Sequence, residues 1–255
     1  MSSTTVTGSG ARASVEARID RLPPSRHLLG LVARIAVGGW FEFYELFLPG
    51  AISLGLVRAH LFTVASHGLF DLHSFPSFLA AFFAGMFLST VVFGGVSDRF
   101  GRRSIFIYAM LVYSLFNVLI AASSNPAVID GCRFVAGFAV GMQLINNDSF
   151  ISELTPRRSR GRYMAFAFIV ILTATPAVAL LAAVLVPRAP LGIDGWRWVV
   201  LIGAAGGVLV WFIQRGLPES PRWLAAQGRD AEADAALAAI EARVVAETGA
   251  LPAPD

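Results

Sequence analysis

The sequence predicts an all-α membrane protein: six transmembrane helices forming one bundle, with both termini cytoplasmic. Three observations carry that prediction. Apolar residues make up 56% of the 255-residue chain and charged residues only 15%, against about 45–50% apolar for a typical soluble domain. The apolar residues gather into six runs, each close to the roughly 20 residues a helix needs to cross a bilayer. Arginine is concentrated on alternate sides of those runs, as the positive-inside rule requires.

In chain order, residues 1–27 are rich in Ser, Thr, Gly and Arg and contain no apolar signal-peptide core, so they are expected to form a disordered cytoplasmic tail. The spans follow at 28–56, 77–96, 104–123, 127–150, 164–186 and 198–217. Glu42 and Glu45 interrupt the first run, and Arg133 and several amides interrupt the fourth. His60, His67 and His73 fall in the connection after the first span, with no spacing on a common helical face and no cysteine or carboxylate pair, so no metal is expected. In the fifth span Pro176, with Thr173 and Thr175, predicts a kink whose freed carbonyls are partly met by hydroxyls. Residues 28–217 thus make the bundle. From 218 to 255 the chain turns polar and Ala-rich, a helix-forming start to a cytoplasmic loop.

The formal charge of +3 comes from arginine alone, since the sequence contains no lysine. Sixteen arginines, including Arg99, Arg102, Arg103, Arg160, Arg162 and Arg222, flank the spans on one side; only Arg58, Arg188 and Arg197 lie on the other. This distribution is topological, and it argues against a nucleic-acid partner. Cys132 is the single cysteine, which excludes an internal disulfide and a cysteine-rich metal centre. No nucleophile–base pair or phosphate-binding glycine loop is present, so an enzyme is not expected, nor a cofactor beyond a proton as coupling ion.

Buried charge marks the candidate site. Glu42 and Glu45 are three residues apart and share a helical face. Arg133 lies about six residues inside its span, roughly 9 Å deep at helical rise. An arginine there costs several kcal/mol unless it is paired, hydrated or snorkelled to the surface. Gln143 and Asn147 share a stripe near the face of Arg133, and amides both donate and accept hydrogen bonds.

Four motifs extend this reading. They are Gly94-Gly-Val-Ser-Asp98-Arg99-Phe-Gly101-Arg102-Arg103; Arg133-Phe-Val-Ala-Gly137-Phe-Ala-Val-Gly141; Glu153-Leu-Thr-Pro-Arg-Arg-Ser-Arg160-Gly-Arg162; and Pro218-Glu219-Ser-Pro-Arg222-Trp. Together they resemble the major facilitator superfamily of secondary transporters, and within it the sugar porters and metabolite–proton symporters. Tyr44-Glu45 followed by Gly50 is similar to the tyrosine–aspartate pattern of the first helix there, with glutamate replacing aspartate. The fifth span lacks the glycines found in drug–proton antiporters, which favours symport.

The resemblance implies the N-terminal six-helix half of a transporter in the cell (inner) membrane, working by alternating access on a sugar or a carboxylic acid. Its expected partners are the lipid bilayer, a small solute, and a second six-helix half or a homodimer partner. It implies Glu45 and Arg133 as a proton-coupling pair with Glu42 in reserve; Gln143, Asn146, Asn147, Asp148 and Tyr44 as substrate-lining residues; and Gly94, Asp98, Arg99, Gly101, Arg102, Arg103, Glu153, Arg160, Arg162, Glu219 and Arg222 as a cytoplasmic gate. The alternative is a membrane sensor or assembly partner that transports nothing.

Overall fold

The structure, a computed structural model, describes residues 14–64, 71, 73–93 and 99–253. Gly94, Asp98 and His67 lie outside the described residues. Among the described residues the regular structure is helical, apart from an isolated bridge between Thr63 and Ser74 across the first connection. The helices are α1 (residues 14–20), α2 (Arg26–Arg58), α3 (Phe75–Phe93), α4 (Arg102–Ala122), α5 (Pro126–Leu154), α6 (Arg160–Leu172), α7 (Ala174–Leu185), α8 (Gly195–Gln214), α9 (Pro221–Ala226) and α10 (Asp230–Thr248). By length and hydropathy α3, α4, α5, the α6–α7 pair and α8 qualify as membrane spans. The long α2 runs beside them but carries Glu42 and Glu45.

Local chemistry sets several helix ends. Ser25 accepts from Leu28 N at 3.2 Å and starts α2. Asn125 accepts from Ala127 N at 3.0 Å, with Pro126 in the first position of α5, where its missing N–H costs nothing. Arg197, at the start of α8, donates to the carbonyls of Ala121 and Ser123, placing a cation on the negative end of α4. The expected kink appears as a break at Thr173 between α6 and α7. Its hydroxyl donates to Val170 O at 2.6 Å and accepts from Trp40 Nε1 at 2.9 Å.

α5 is central to the bundle, packing on α3, α4 and α2, while α2 also packs on α6, α7 and α8. α3 and α5 cross with their backbones in close approach. A Cβ on Gly85 would overlap the carbonyl of Phe134, and one on Gly137 the carbonyl of Phe82. Small residues at such a crossing let dispersion contacts hold the helices together where lipid supplies no hydrophobic drive. Much of the outer surface is apolar, with Leu115 and Leu119 of α4 and Ile202 and Leu209 of α8 exposed, as suits a surface bathed in lipid. α3 and the α6–α7 pair leave most of their length uncovered.

The tail expectation needs correcting for residues 14–20. Val15 and Ile19, four apart, share a face of α1 and pack with Trp223, Leu224 and Leu237 of α9 and α10. Arg18 donates to both Asp234 and Glu241, and Arg21 joins Glu241 at 2.7 Å. The apolar pair was hidden in a segment whose average composition is polar.

Candidate functional site

α2 contains a proline, Pro49, and this decides the chemistry around Glu45. Proline has no N–H, so the carbonyl four residues earlier loses its helical partner. That carbonyl belongs to Glu45. Arg133 of α5 donates to it from Nη2 at 3.0 Å, and its Nη1 pairs with Glu45 Oε1. Both side chains are 0% exposed, so snorkelling is excluded as the way Arg133 is accommodated. Asn117 of α4 donates from Nδ2 to Glu45 Oε2 at 3.4 Å and to Tyr113 O at 3.1 Å. The guanidinium lies over the rings of Phe82 and Phe78 of α3, 4.2 and 5.1 Å from their centroids. Four helices therefore converge on one buried ion pair. Such a pair adds little net stability, but removing one partner costs about 3–5 kcal/mol.

The other polar residues divide between this pair, the bundle interior and the arginine-rich end. Glu42 is buried and accepts from Gln143 Nε2 at 2.9 Å, in the amide orientation that satisfies both groups. Asn147 is buried against Gly39 of α2, where a Cβ would displace it. Tyr44 is buried, and its hydroxyl donates to Val199 O at 2.7 Å. Its ring rests against Gly203, where a Cβ would come within 2.9 Å. Asp148 is exposed. Asn146 lies elsewhere: its Nδ2 donates to Arg102 O at 2.6 Å, at the arginine-rich end.

At that end a carboxylate caps a helix from another part of the chain. α4 starts at Gly101 with no side-chain cap of its own. Glu219 Oε1 supplies one, accepting from the backbone N–H groups of Arg102, Arg103 and Ser220, each at 3.1 Å. Gly101 is held at φ 92°, and a Cβ there would come within 2.6 Å of Glu219 Oε2. Glycine is thus required by both backbone and space. Burial pushes the Glu219 carboxyl above the usual range, and the N–H donors of Arg103, Ser220 and Arg102 offset only part of that.

Arg102 pairs with Glu153 at 3.0 Å. Arg103 donates to Arg215 O at 2.6 Å. Arg222 reaches Ser152 O at 3.3 Å and Asp20 at 3.2 Å, while Arg157 pairs with Glu16 and Asp20. Burial lowers the Arg222 guanidinium, and Asp20 opposes that. Arg99 is exposed beside the ring of Phe100. Arg160 and Arg162 make no ion pair among the described residues, and His60 and His73 belong to no metal-ligand group there.

Sequence reasoning missed Asn117, Phe78, Phe82, Asp20 and Pro49. Only Pro49 had a usable signal, its position four residues after Glu45. It also missed Asp130, which is buried and accepts from Ser77 Oγ at 2.7 Å, tying α5 to α3.

The profile of the sugar (and other) transporter family matches residues 31–248. YyaJ of Bacillus subtilis (strain 168), whose metabolite-transport designation is provisional, is 33% identical over 236 residues, 92% of this chain and 50% of its own length. The niacin transporter NiaP of Acinetobacter baylyi is 31% identical over 224 residues, 88% of this chain and 48% of its own. Among solved structures, the proton:xylose symporter XylE bound to 6-bromo-6-deoxy-D-glucose shares the fold with a TM-score of 0.76 at 20% identity, covering 86% of this chain and 50% of that one. The chain spans about half the length of the relatives it matches. Proteins of this family are transporters, not enzymes. The chain belongs to the sugar (and other) transporter family, as a multi-pass membrane protein whose fold is shared with about half of the XylE structure.

Proposed function

We propose that this chain forms one half of a proton-coupled symporter for a small polar metabolite, a sugar or a carboxylic acid, in the cytoplasmic membrane. The observation that carries the reading is the fully buried Glu45–Arg133 pair, shared by four helices and tied to the proline-freed carbonyl of α2. When Glu45 takes up a proton, Arg133 loses its counter-charge but keeps the carbonyl, so α2 and α5 are free to shift without coming apart. Glu42 with Gln143, and Asn147 beside Gly39, supply polar groups for solute on the same two helices. The ties at Glu219, Arg102–Glu153 and Arg222 are largely buried and lie on the cytoplasmic side, where making or breaking them biases an equilibrium between access states. The uncovered faces of α3 and the α6–α7 pair suit a second half or a second copy of the chain.

Reconstitution in liposomes tests this. Labelled sugars and carboxylic acids are offered under an inward proton gradient, to the chain alone and to the chain co-expressed with a C-terminal half of the same family. Gradient-driven uptake in either preparation is the expected result, with Glu45→Gln abolishing accumulation while sparing exchange. Accumulation unchanged in Glu45→Gln refutes the coupling role.

A further inference from the structure

The start of α2, the end of α8 and α10 enclose a cavity of about 570 Å³ at the arginine-rich end, within the size range of small-ligand sites. Its polar lining is almost entirely of one sign. Arg34, Arg215, Arg243 and His27 face it, against a single acid, Glu247. That acid is already engaged, its Oε2 accepting from the backbone N–H of Arg26 at 2.7 Å. Among the described residues none of the three guanidiniums forms an ion pair, and all three are exposed. Arg34 lies against the end of α8, its Nη1 3.9 Å from where a Cβ on Gly216 would stand. Arg34, Arg243 and Glu247 all act electrostatically on His27, so the two guanidiniums are within reach of one another's field. Arg215 is stacked on Trp211 at 3.5 Å and lies 5.7 Å from the ring of Phe212. Trp211 is half-buried and Phe212 exposed, and aromatic residues at the end of an apolar span mark the level of the lipid headgroups.

Three unpaired guanidiniums around one cavity repel each other, and an anion between them removes that cost. Guanidinium forks match phosphate oxygens in geometry, and the resulting bonds are charge-assisted. Basic pockets beside membrane helices are suited to anionic headgroups. We propose that this cavity binds a phosphate-bearing anion through Arg34, Arg215 and Arg243, with His27 at its edge. The phosphate comes either from an anionic lipid headgroup or from a free phosphate in solution.

The full chain would be placed in phosphatidylcholine nanodiscs, in phosphatidylcholine nanodiscs containing phosphatidylglycerol, and in phosphatidylcholine nanodiscs with sodium phosphate, and its thermal unfolding midpoint compared. The comparison includes the triple variant Arg34→Gln/Arg215→Gln/Arg243→Gln and its charge-preserving counterpart Arg34→Lys/Arg215→Lys/Arg243→Lys. The expected result is an upward shift of roughly 2–4 °C or more, absent from the glutamine triple and retained at least in part by the lysine triple. A shift with phosphatidylglycerol alone assigns the site to lipid; one with sodium phosphate assigns it to free phosphate. No shift in the parent chain, or equal shifts in the parent and the glutamine triple, overturns the proposal.

Discussion

Replacing Arg133 with glutamine should destabilise the bundle by about 3–5 kcal/mol at neutral pH. The scale follows from the surroundings. Glu45 and Arg133 are both 0% exposed, so neither gains water when the other is lost. The carboxylate left behind must stay charged among packed helices or take up a proton. For an ordinary glutamate, with its reference value near 4.3, proton uptake costs about 3.7 kcal/mol at pH 7 and about 1.6 kcal/mol at pH 5.5. The Glu45 carbonyl freed by Pro49 also loses its donor, worth roughly 1 kcal/mol more. The destabilisation should therefore shrink as pH falls. Glu45→Gln should also be costly, because the guanidinium stays charged, though it keeps the carbonyl and the faces of Phe78 and Phe82. The double variant Glu45→Gln/Arg133→Gln should recover much of the loss, with a coupling of about 2 kcal/mol or more. Denaturant unfolding in micelles, followed by tryptophan fluorescence at pH 7 and pH 5.5, measures all three. Single variants within about 1 kcal/mol of the parent, strict additivity in the double variant, or a pH-independent cost for Arg133→Gln would refute the reasoning.

Three further predictions follow from packing and from the arginine-rich end. Gly137→Ala should cost about 1–3 kcal/mol by forcing α3 and α5 apart at the Phe82 carbonyl. Gly131→Ala on the same helix meets nothing within 4 Å and should be neutral or stabilising; equal losses for the two would contradict the close crossing. Glu219→Ala should cost about 1–2 kcal/mol as a lost helix cap, whereas Glu219→Gln keeps the acceptor. Because burial holds the Glu219 carboxyl above its unfolded value, its favourable share is present below the ordinary glutamate range and lost as pH rises through the folded value. Glu219→Gln should thus be at least as stable as the parent at pH 7, with the difference vanishing in acid; a thermal-shift series across pH reads this directly. For Glu241, burial pushes the carboxyl up, but hydrogen bonds from Arg18 and Arg21 outweigh it and hold the group below its usual value. Docking of α1 should therefore hold from neutral pH down to the ordinary glutamate range and fail as pH drops through the depressed value. Hydrogen exchange over residues 14–22, corrected for intrinsic rates, would show this, and loss of protection already at pH 6 would count against it.

Five of the six expected spans were legible because a bilayer imposes a length and a hydropathy that ordinary composition does not imitate. The motifs were legible for a related reason: Gly101, Glu153, Glu219 and Arg222 carry charge or conformational freedom at places where apolar sequence has no use for either. The alternation of arginine predicts topology in the same way, from a cost paid residue by residue. α1 was not legible, because a two-turn helix shows only two large apolar residues, Val15 and Ile19, before Leu22, and its ordering depends on Trp223 and Glu241 more than two hundred positions away.

By itself the sequence determined the helical class, five of the spans, and the presence of charge that hydrocarbon must not meet alone. Only the tertiary structure decided which groups meet. It joined Glu45 to Arg133, Asn117 and the carbonyl freed by Pro49, sent Asn146 to the arginine-rich end, and turned Tyr44 toward Val199. It also made Glu219 the cap of a helix that begins more than a hundred residues earlier. The physical reason is one of range. Hydropathy and chain conformation act between neighbours and can be read along the chain, whereas a buried hydrogen bond or ion pair depends on a few ångströms of separation set by how whole helices pack.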